Sequence, residues 1–327
     1  MTSAPAKDAH GGSTVSRQTA VGRSRVLVSR TGLGTAPLAG LYRPVTESEA
    51  TAVVRRALAA GMTYLDTAPL YGLGLAERRL GDTLAGHDGP LPVVSTKAGR
   101  LIRDGAAVFD FSREGILRSV EESLARLRLD RIDIIYLHDP DDHLDKALDE
   151  AYPALHELRA QGVVGAIGAG MNQSAALTRF VCETDVDAVL LAGRYTLLDT
   201  SAADKLLPAA LERGVSVIVG GVFNSGVLAS PRGTAMFDYA PASAPVLRRV
   251  AALEEVCRRH GVPLIAAAAQ FPLGHPAVAS VLVGAADTGE LDQDLAGFEH
   301  PIPSALWSEM RASDLLAPEI PMPAPAP

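Results

Sequence analysis

Four residues of this chain have the types needed to move a proton at a carbonyl or alcohol carbon: Asp66, Tyr71, Lys97 and His138. A tyrosine alone has a pKa of ~10 and is a poor acid or base near neutrality. A lysine cation beside it favours the phenolate and lowers that value. A buried lysine tends to lose its own charge, and a neighbouring aspartate keeps it charged. A histidine in reach hydrogen-bonds a substrate oxygen and orients it. Together they would make Tyr71 a general acid–base group for hydride transfer. No side chain supplies hydride, so a cofactor must. Taken singly, each has a plainer role. Asp66 reads as a cap, Tyr71 as an aromatic under a loop, Lys97 as a surface ammonium on a long stem, and His138 as a satisfied core histidine. Their placement argues otherwise. They close three successive apolar runs: Tyr64-Leu65-Asp66-Thr67-Ala68-Pro69 with Tyr71 just beyond, Ser95-Thr96-Lys97, and Leu137-His138-Asp139. A metal-dependent hydrolase using His138 and Asp139 would need an HxH pair and a further strand-end histidine, and none is present, so no metal is expected.

The elements that must carry these residues follow one rhythm. Eight apolar runs, at 33–40, 62–68, 91–99, 132–138, 163–171, 186–194, 215–222 and 278–285, alternate with helix-periodic segments. Continuous apolar runs suit parallel strands buried on both faces. Thr46-Glu47-Ser48-Glu49 is a capping box for a helix ending before Gly61. Segments 112–129, 144–161 and 203–213 show similar start and stop chemistry, and Pro153 is expected to kink or split the second of them. Eight strand–helix units predict a closed (β/α)8 TIM barrel, with chemistry at the C-terminal strand ends. No GxGxxG follows a strand, which disfavours a doubly wound sheet.

Residues 1–22 read as a disordered N-terminal arm, 23–317 as one barrel domain, and 318–327 as a loose Pro-rich tail. The net charge of −8 argues against nucleic acid or anionic membrane partners. With no secretory signal before Arg25, no long apolar span, and only Cys182 and Cys257, a cytoplasmic enzyme with reduced thiols is expected. A small-molecule substrate is the expected partner, and the oligomeric state is left open.

These motifs resemble the aldo-keto reductases. Asp66-Thr67-Ala68-Pro69-Leu70-Tyr71-Gly72, then Glu77 and Leu80-Gly81, is similar to the family signature, and Lys97 and His138 fall at its lysine and histidine. The resemblance spans 25–316. It implies an NAD(P)-dependent oxidoreductase with Asp66, Tyr71, Lys97 and His138 as catalytic tetrad. It also implies that Gly34, Thr35 and Asp66 lie against the cofactor and that Asn172 meets the nicotinamide amide. Gly220 stands where the family often stacks an aromatic, a role Phe223 would take from the loop. Gly284, Asp287 and Asp294 would line the adenosine side. The family's Ser-Asn after the fifth strand and Gln in the sixth are replaced by Gly170-Met171-Asn172 and Ala192.

Further stretches, including Gly170-Met171-Asn172-Gln173 and Arg194-Tyr195-Thr196-Leu197-Leu198-Asp199, resemble one branch of the family. Aldose 1-dehydrogenases and pyridoxal 4-dehydrogenases belong to it, and both oxidise a cyclic hemiacetal to a lactone. L-Fucose or a related D-threo-aldose is then the implied substrate, with Tyr71 as base. Pyridoxal oxidation, NADPH-dependent aldehyde or ketone reduction, and a cofactor-binding regulatory subunit are the alternatives. No Lys or Arg occurs in 277–303. Asp287 would repel a 2′-phosphate and accept from a free 2′-hydroxyl, so NAD is expected over NADP. Loops 100–111, 139–143 and 223–240 are expected to set specificity. Phe109, Phe111, Phe237 and Tyr239 read as pocket walls or as loop packing. Arg194 reads as a polar substrate contact or as an ion-pair residue. Trp307 reads as a core anchor.

Overall fold

A computed structural model describes residues 13–230 and 236–323. Eight parallel strands close into a barrel: β1 (Thr31–Gly34), β2 (Tyr64–Asp66), β3 (Val93–Ala98), β4 (Ile132–His138), β5 (Val164–Met171), β6 (Ala188–Ala192), β7 (Ser216–Gly220) and β8 (Val278–Val283). Their order around the barrel is their order in the chain. The predicted (β/α)8 class is therefore observed. The first run is shorter than expected. β1 ends at Gly34, and Pro37–Ala39 forms a 3-10 turn, because proline has no N–H to continue a ladder.

Two apolar clusters divide the core. The larger lies between strands and helices. Helix Glu47–Ala59 shows how it forms: Thr46 and Glu49 cap its start reciprocally, and Ala50, Val53, Val54 and Ala57 bury one stripe. The smaller cluster fills the barrel. Tyr64, Tyr136, Leu190 and Leu282, from the alternate strands β2, β4, β6 and β8, belong to it, as a barrel layer requires. Two residues further along the same strands come Asp66, His138 and Ala192, one layer nearer the C-terminal rim. Gly168 lets the Ala188 backbone approach and leaves room for Tyr136. A Cβ there would sit 1.9 Å from the Ala188 carbonyl oxygen and 3.0 Å from the Tyr136 ring.

Two expectations change. Within the expected disordered arm, Gln18–Ala20 pairs with Leu27–Ser29 as a hairpin, and Val21 and Val28 are fully buried. They pack with Ile134, Ala166 and Ile218, apolar side chains of the barrel cluster that water would otherwise meet. Residues 1–12 lie outside the described residues. The tail is packed as far as it is described: Ile320 is buried and its carbonyl accepts from Arg311. Residues 324–327 lie outside. Pro153 falls, as expected, where the helical segment is irregular. A wide π turn, Ala147–Ala151, leads into Tyr152–Ala160 and places the proline at the start of that segment, where its missing N–H costs least. Among the described residues no helix is long and apolar enough to cross a membrane.

Candidate active site

β2, β3 and β4 are neighbours in the barrel, with Asp66 in register with Ser95 and Lys97 with Tyr136. Their inward side chains at the C-terminal end therefore meet. Lys97 Nζ donates to Asp66 Oδ2 at 2.7 Å, the Thr67 carbonyl at 2.8 Å and the Tyr71 hydroxyl at 3.1 Å. Three donors meet three acceptors, which fixes the ammonium. Asp66, Lys97 and His138 are buried. The His138 ring stands edge-on to Tyr71 with centroids 6.0 Å apart. Tyr71, Lys97 and His138 open together onto a cavity of about 610 Å³, also lined by Leu41, Asp139, Asn172 and Tyr239. The four sequence-predicted catalytic residues are thus brought to one place.

The electrostatics amend one expectation. Burial raises the Tyr71 pKa, Lys97 pulls it back, and the balance stays above the ordinary phenol value. Lysine alone does not depress it, because desolvation of the phenolate is the larger effect. Lys97 keeps its proton firmly: burial works against the charge, and Asp66 and Tyr71 more than offset it. Burial, with Lys97 and Arg100 nearby, holds His138 well below the usual imidazole range. His138 is therefore neutral near neutrality, with one N–H to donate. The arrangement can pass a proton between Tyr71 and an oxygen that His138 orients.

The remaining motif residues support this centre from behind. Glu77 is fully buried, accepts from Thr96 Oγ1 at 2.7 Å and Arg126 Nε at 2.6 Å, and so ties helix Leu75–Ala85 to β3 and to helix Arg113–Leu127. Gly81 lets these helices touch; a Cβ there would lie 2.6 Å from the Arg126 carbonyl oxygen.

Other expected contacts divide. Asn172 lines the cavity. Gly34, Thr35 and Gly220 sit at the ends of β1 and β7 on the same rim, and Thr35 Oγ1 is buried without a partner. Phe223 packs against the outer core. Phe111 is buried beneath the hairpin Arg100–Arg103/Ala106–Phe109, and Phe109 stacks on it at the surface with Arg100 over its ring. Neither lines the cavity, nor does Phe237; of the four aromatics only Tyr239 does. Arg194 is spent on Asp238 at 2.9 Å, which holds the hairpin carrying Tyr239. Residues 231–235 of that loop lie outside the described residues.

The segment after β8 is not free of cations in space. Gly284 follows that strand directly, and a Cβ there would lie 2.9 Å from the Pro37 ring and 3.3 Å from the Gly34 carbonyl oxygen. Arg43, from the loop after β1, bonds Asp287 at 2.8 Å and Glu49 at 3.4 Å. Asp287 also caps helix Thr288–Glu299 through the Glu290 amide. The expected bare carboxylate is therefore paired, by a residue some 240 positions away in the chain. Arg100, which bonds Asp139 at 2.5 Å, and Tyr42 beside Tyr71 were also not singled out by the sequence.

Asp294 lies on the buried face of that helix, and burial, with Glu290 adding, pushes its carboxyl up to about 8. An unfolded aspartate titrates near ~3.9. The folded chain thus keeps a proton that the unfolded chain loses, and stability falls as pH rises through that window. Asp294→Asn is expected to match the wild type in acid and to melt several degrees higher at pH 8. Parallel melting curves across the whole range would contradict this.

Comparison with known proteins agrees with this geometry. The family model for the Aldo/keto reductase family matches residues 30–314. D-threo-aldose 1-dehydrogenase of Pseudomonas sp is 42% identical, with 92% of this chain and 98% of that protein covered. Pyridoxal 4-dehydrogenase of Microbacterium luteolum is 38% identical at the same coverage, 92% and 98%. The solved structure of aldo-keto reductase AKR11C1 from Bacillus halodurans, a holo form, superposes with a TM-score of 0.76 at 25% identity, covering 93% of this chain and 97% of that one.

Proposed function

This chain belongs to the aldo/keto reductase family, and from that premise we propose that it oxidises the cyclic hemiacetal of L-fucose or a related D-threo-aldose to its lactone. It is an NAD(P)-dependent oxidoreductase. The observation that carries the proposal is the Tyr71 hydroxyl 3.1 Å from Lys97 Nζ, itself bonded to Asp66, at the wall of a cavity shared with His138. Tyr71 as phenolate accepts the anomeric hydroxyl proton while hydride leaves the same carbon. Lys97 stabilises that phenolate, and Asp66 keeps Lys97 charged. Neutral His138 donates to the substrate oxygen and orients it.

The rim suits a nicotinamide cofactor: Thr35 Oγ1 is a buried hydroxyl with no partner, and the backbone at Gly34 and Gly220 is uncrowded, a Cβ at either meeting nothing closer than 3.7 Å. Thr35, Asn172 and Gly220 are the residues we assign to hold it. Bound there, it supplies the hydride acceptor. We assign NAD over NADP. Arg43 is already neutralised by Asp287 and Glu49, so a 2′-phosphate would have to displace a carboxylate. The unpaired thiols Cys182 and Cys257 support a cytoplasmic enzyme.

An aldose is favoured over pyridoxal by Asp139 at the cavity wall, which Arg100 pairs from outside the lining. A carboxylate that only accepts, held in place by a guanidinium, suits sugar hydroxyls. Purified protein should form NADH with L-fucose and NAD, and far less with NADP or with pyridoxal. Asp139→Asn should raise KM for the sugar about tenfold, one lost charged hydrogen bond, and leave pyridoxal turnover unchanged. Pyridoxal as the preferred substrate would reverse the assignment. NADPH-driven reduction of simple aldehydes alone would make the chain a reductase, and cofactor binding without turnover would make it a regulatory subunit.

A further inference from the structure

One set of buried polar groups is not used by this chemistry. The barrel layer beneath Asp66 is usually filled with branched apolar side chains. Here two of its four members are phenols, Tyr64 and Tyr136, both fully buried. Their hydroxyls lie 3.2 Å apart, and Ser95 Oγ is 3.0 Å from the Tyr64 hydroxyl and 2.7 Å from Asp66 Oδ1. We propose that Tyr136, Tyr64 and Ser95 form a one-directional hydrogen-bond chain ending on Asp66, and that they are positioning residues for the acid–base pair Lys97 and Tyr71.

The direction follows from counting protons. The Asp66 carboxylate paired with Lys97 only accepts. Serine has one hydroxyl proton, so that proton goes to Asp66. Ser95 Oγ is also placed to donate to the Tyr64 hydroxyl, but its single proton is taken by the shorter bond to Asp66; the Tyr64 hydroxyl then donates to Ser95, and the Tyr136 hydroxyl to Tyr64. Every proton points at Asp66, and bonds aligned this way strengthen one another. The chain has two effects. It holds Oδ1, so that Oδ2 faces Lys97 Nζ at 2.7 Å. It also spreads the negative charge of Asp66 away from Tyr71, whose ionisation that charge opposes. Lys97, Asp66, His138, Tyr42 and Tyr239 are the titratable groups facing Tyr71, and none of them belongs to the chain. Two phenols serving packing alone would be replaceable by phenylalanine without consequence for Tyr71.

The inference rests on Tyr71 being the proton acceptor, and its test does not need turnover. Tyr71 is titrated by NMR in protein carrying 13Cζ-tyrosine, its signal assigned by loss in Tyr71→Phe. In Ser95→Ala its pKa is expected to rise by about one unit, with kcat for oxidation falling about tenfold at neutral pH and KM unchanged. Tyr64→Phe should lose about threefold and Tyr136→Phe less, as the chain is cut further from Asp66. All variants should converge on the wild-type rate at high pH, where Tyr71 is ionised regardless. Ser95→Ala with Tyr64→Phe should be no worse than Ser95→Ala alone. Folded variants whose Tyr71 titrations overlay the wild type would overturn the inference, whatever their melting temperatures. If Tyr71 titrations shift in the variants but the wild type oxidises no hemiacetal, the chain stands and the substrate assignment fails.

Discussion

Tyr71→Phe is expected to reduce kcat/KM by about 10²–10⁴, the usual contribution of a positioned acid–base group. The loss should fall on kcat. The phenyl ring keeps its place against His138, and Lys97 keeps Asp66 Oδ2 and the Thr67 carbonyl as acceptors, so the site and the fold survive. Only the oxygen that exchanges the proton is gone. The wild type should also speed up in the oxidation direction as pH rises through the alkaline range, because burial holds the Tyr71 pKa above its ordinary value. No limb should appear in the ordinary histidine range, since His138 is neutral well below it. Reduced-nicotinamide absorbance in steady state measures both. A phenylalanine variant keeping more than about a tenth of wild-type kcat would show that another group moves the proton.

Lys97→Met has the second large effect, on stability as well as rate. Lys97 and Asp66 are almost wholly removed from water, with side chains 2% and 4% exposed. Methionine approximates the volume but leaves a buried carboxylate without its counter-ion. Breaking such a pair costs about 3–5 kcal/mol. Replacing both partners, Asp66→Asn with Lys97→Met, should recover much of that stability and none of the activity. Urea unfolding of the two variants at neutral pH separates the contributions. A Lys97→Met protein as stable as the wild type at neutral pH would mean that Asp66 is not an isolated buried charge once the ammonium is removed.

The barrel was legible because its signals are local. Eight near-continuous apolar runs alternate with amphipathic segments, and residue spacing alone carries that period. The hairpin at Arg100–Phe109 had a local signal that passed unused. Asp104-Gly105 sits between its strands with both residues at positive φ, the turn such a pair favours. The hairpin tip at Asp238-Tyr239 had no such signal, since tyrosine seldom takes the left-handed conformation it adopts there. The N-terminal hairpin was also hidden. Its first strand, Gln18–Ala20, is small and polar, and the reason it orders lies in the barrel end that Val21, Val26 and Val28 beside it cover.

The sequence by itself determined which residues could do the chemistry and that they stand at successive strand ends, because residue type and period-2 geometry are properties of short stretches. Tertiary structure decided what those residues experience. It placed Arg43 on Asp287, lined up Tyr136, Tyr64 and Ser95 beneath Asp66, and turned Arg194 toward Asp238. It also set the balance at Tyr71, where burial exceeds the pull of Lys97. These outcomes depend on distances between residues far apart in the chain and on how much water each group loses, and neither quantity exists until the barrel closes.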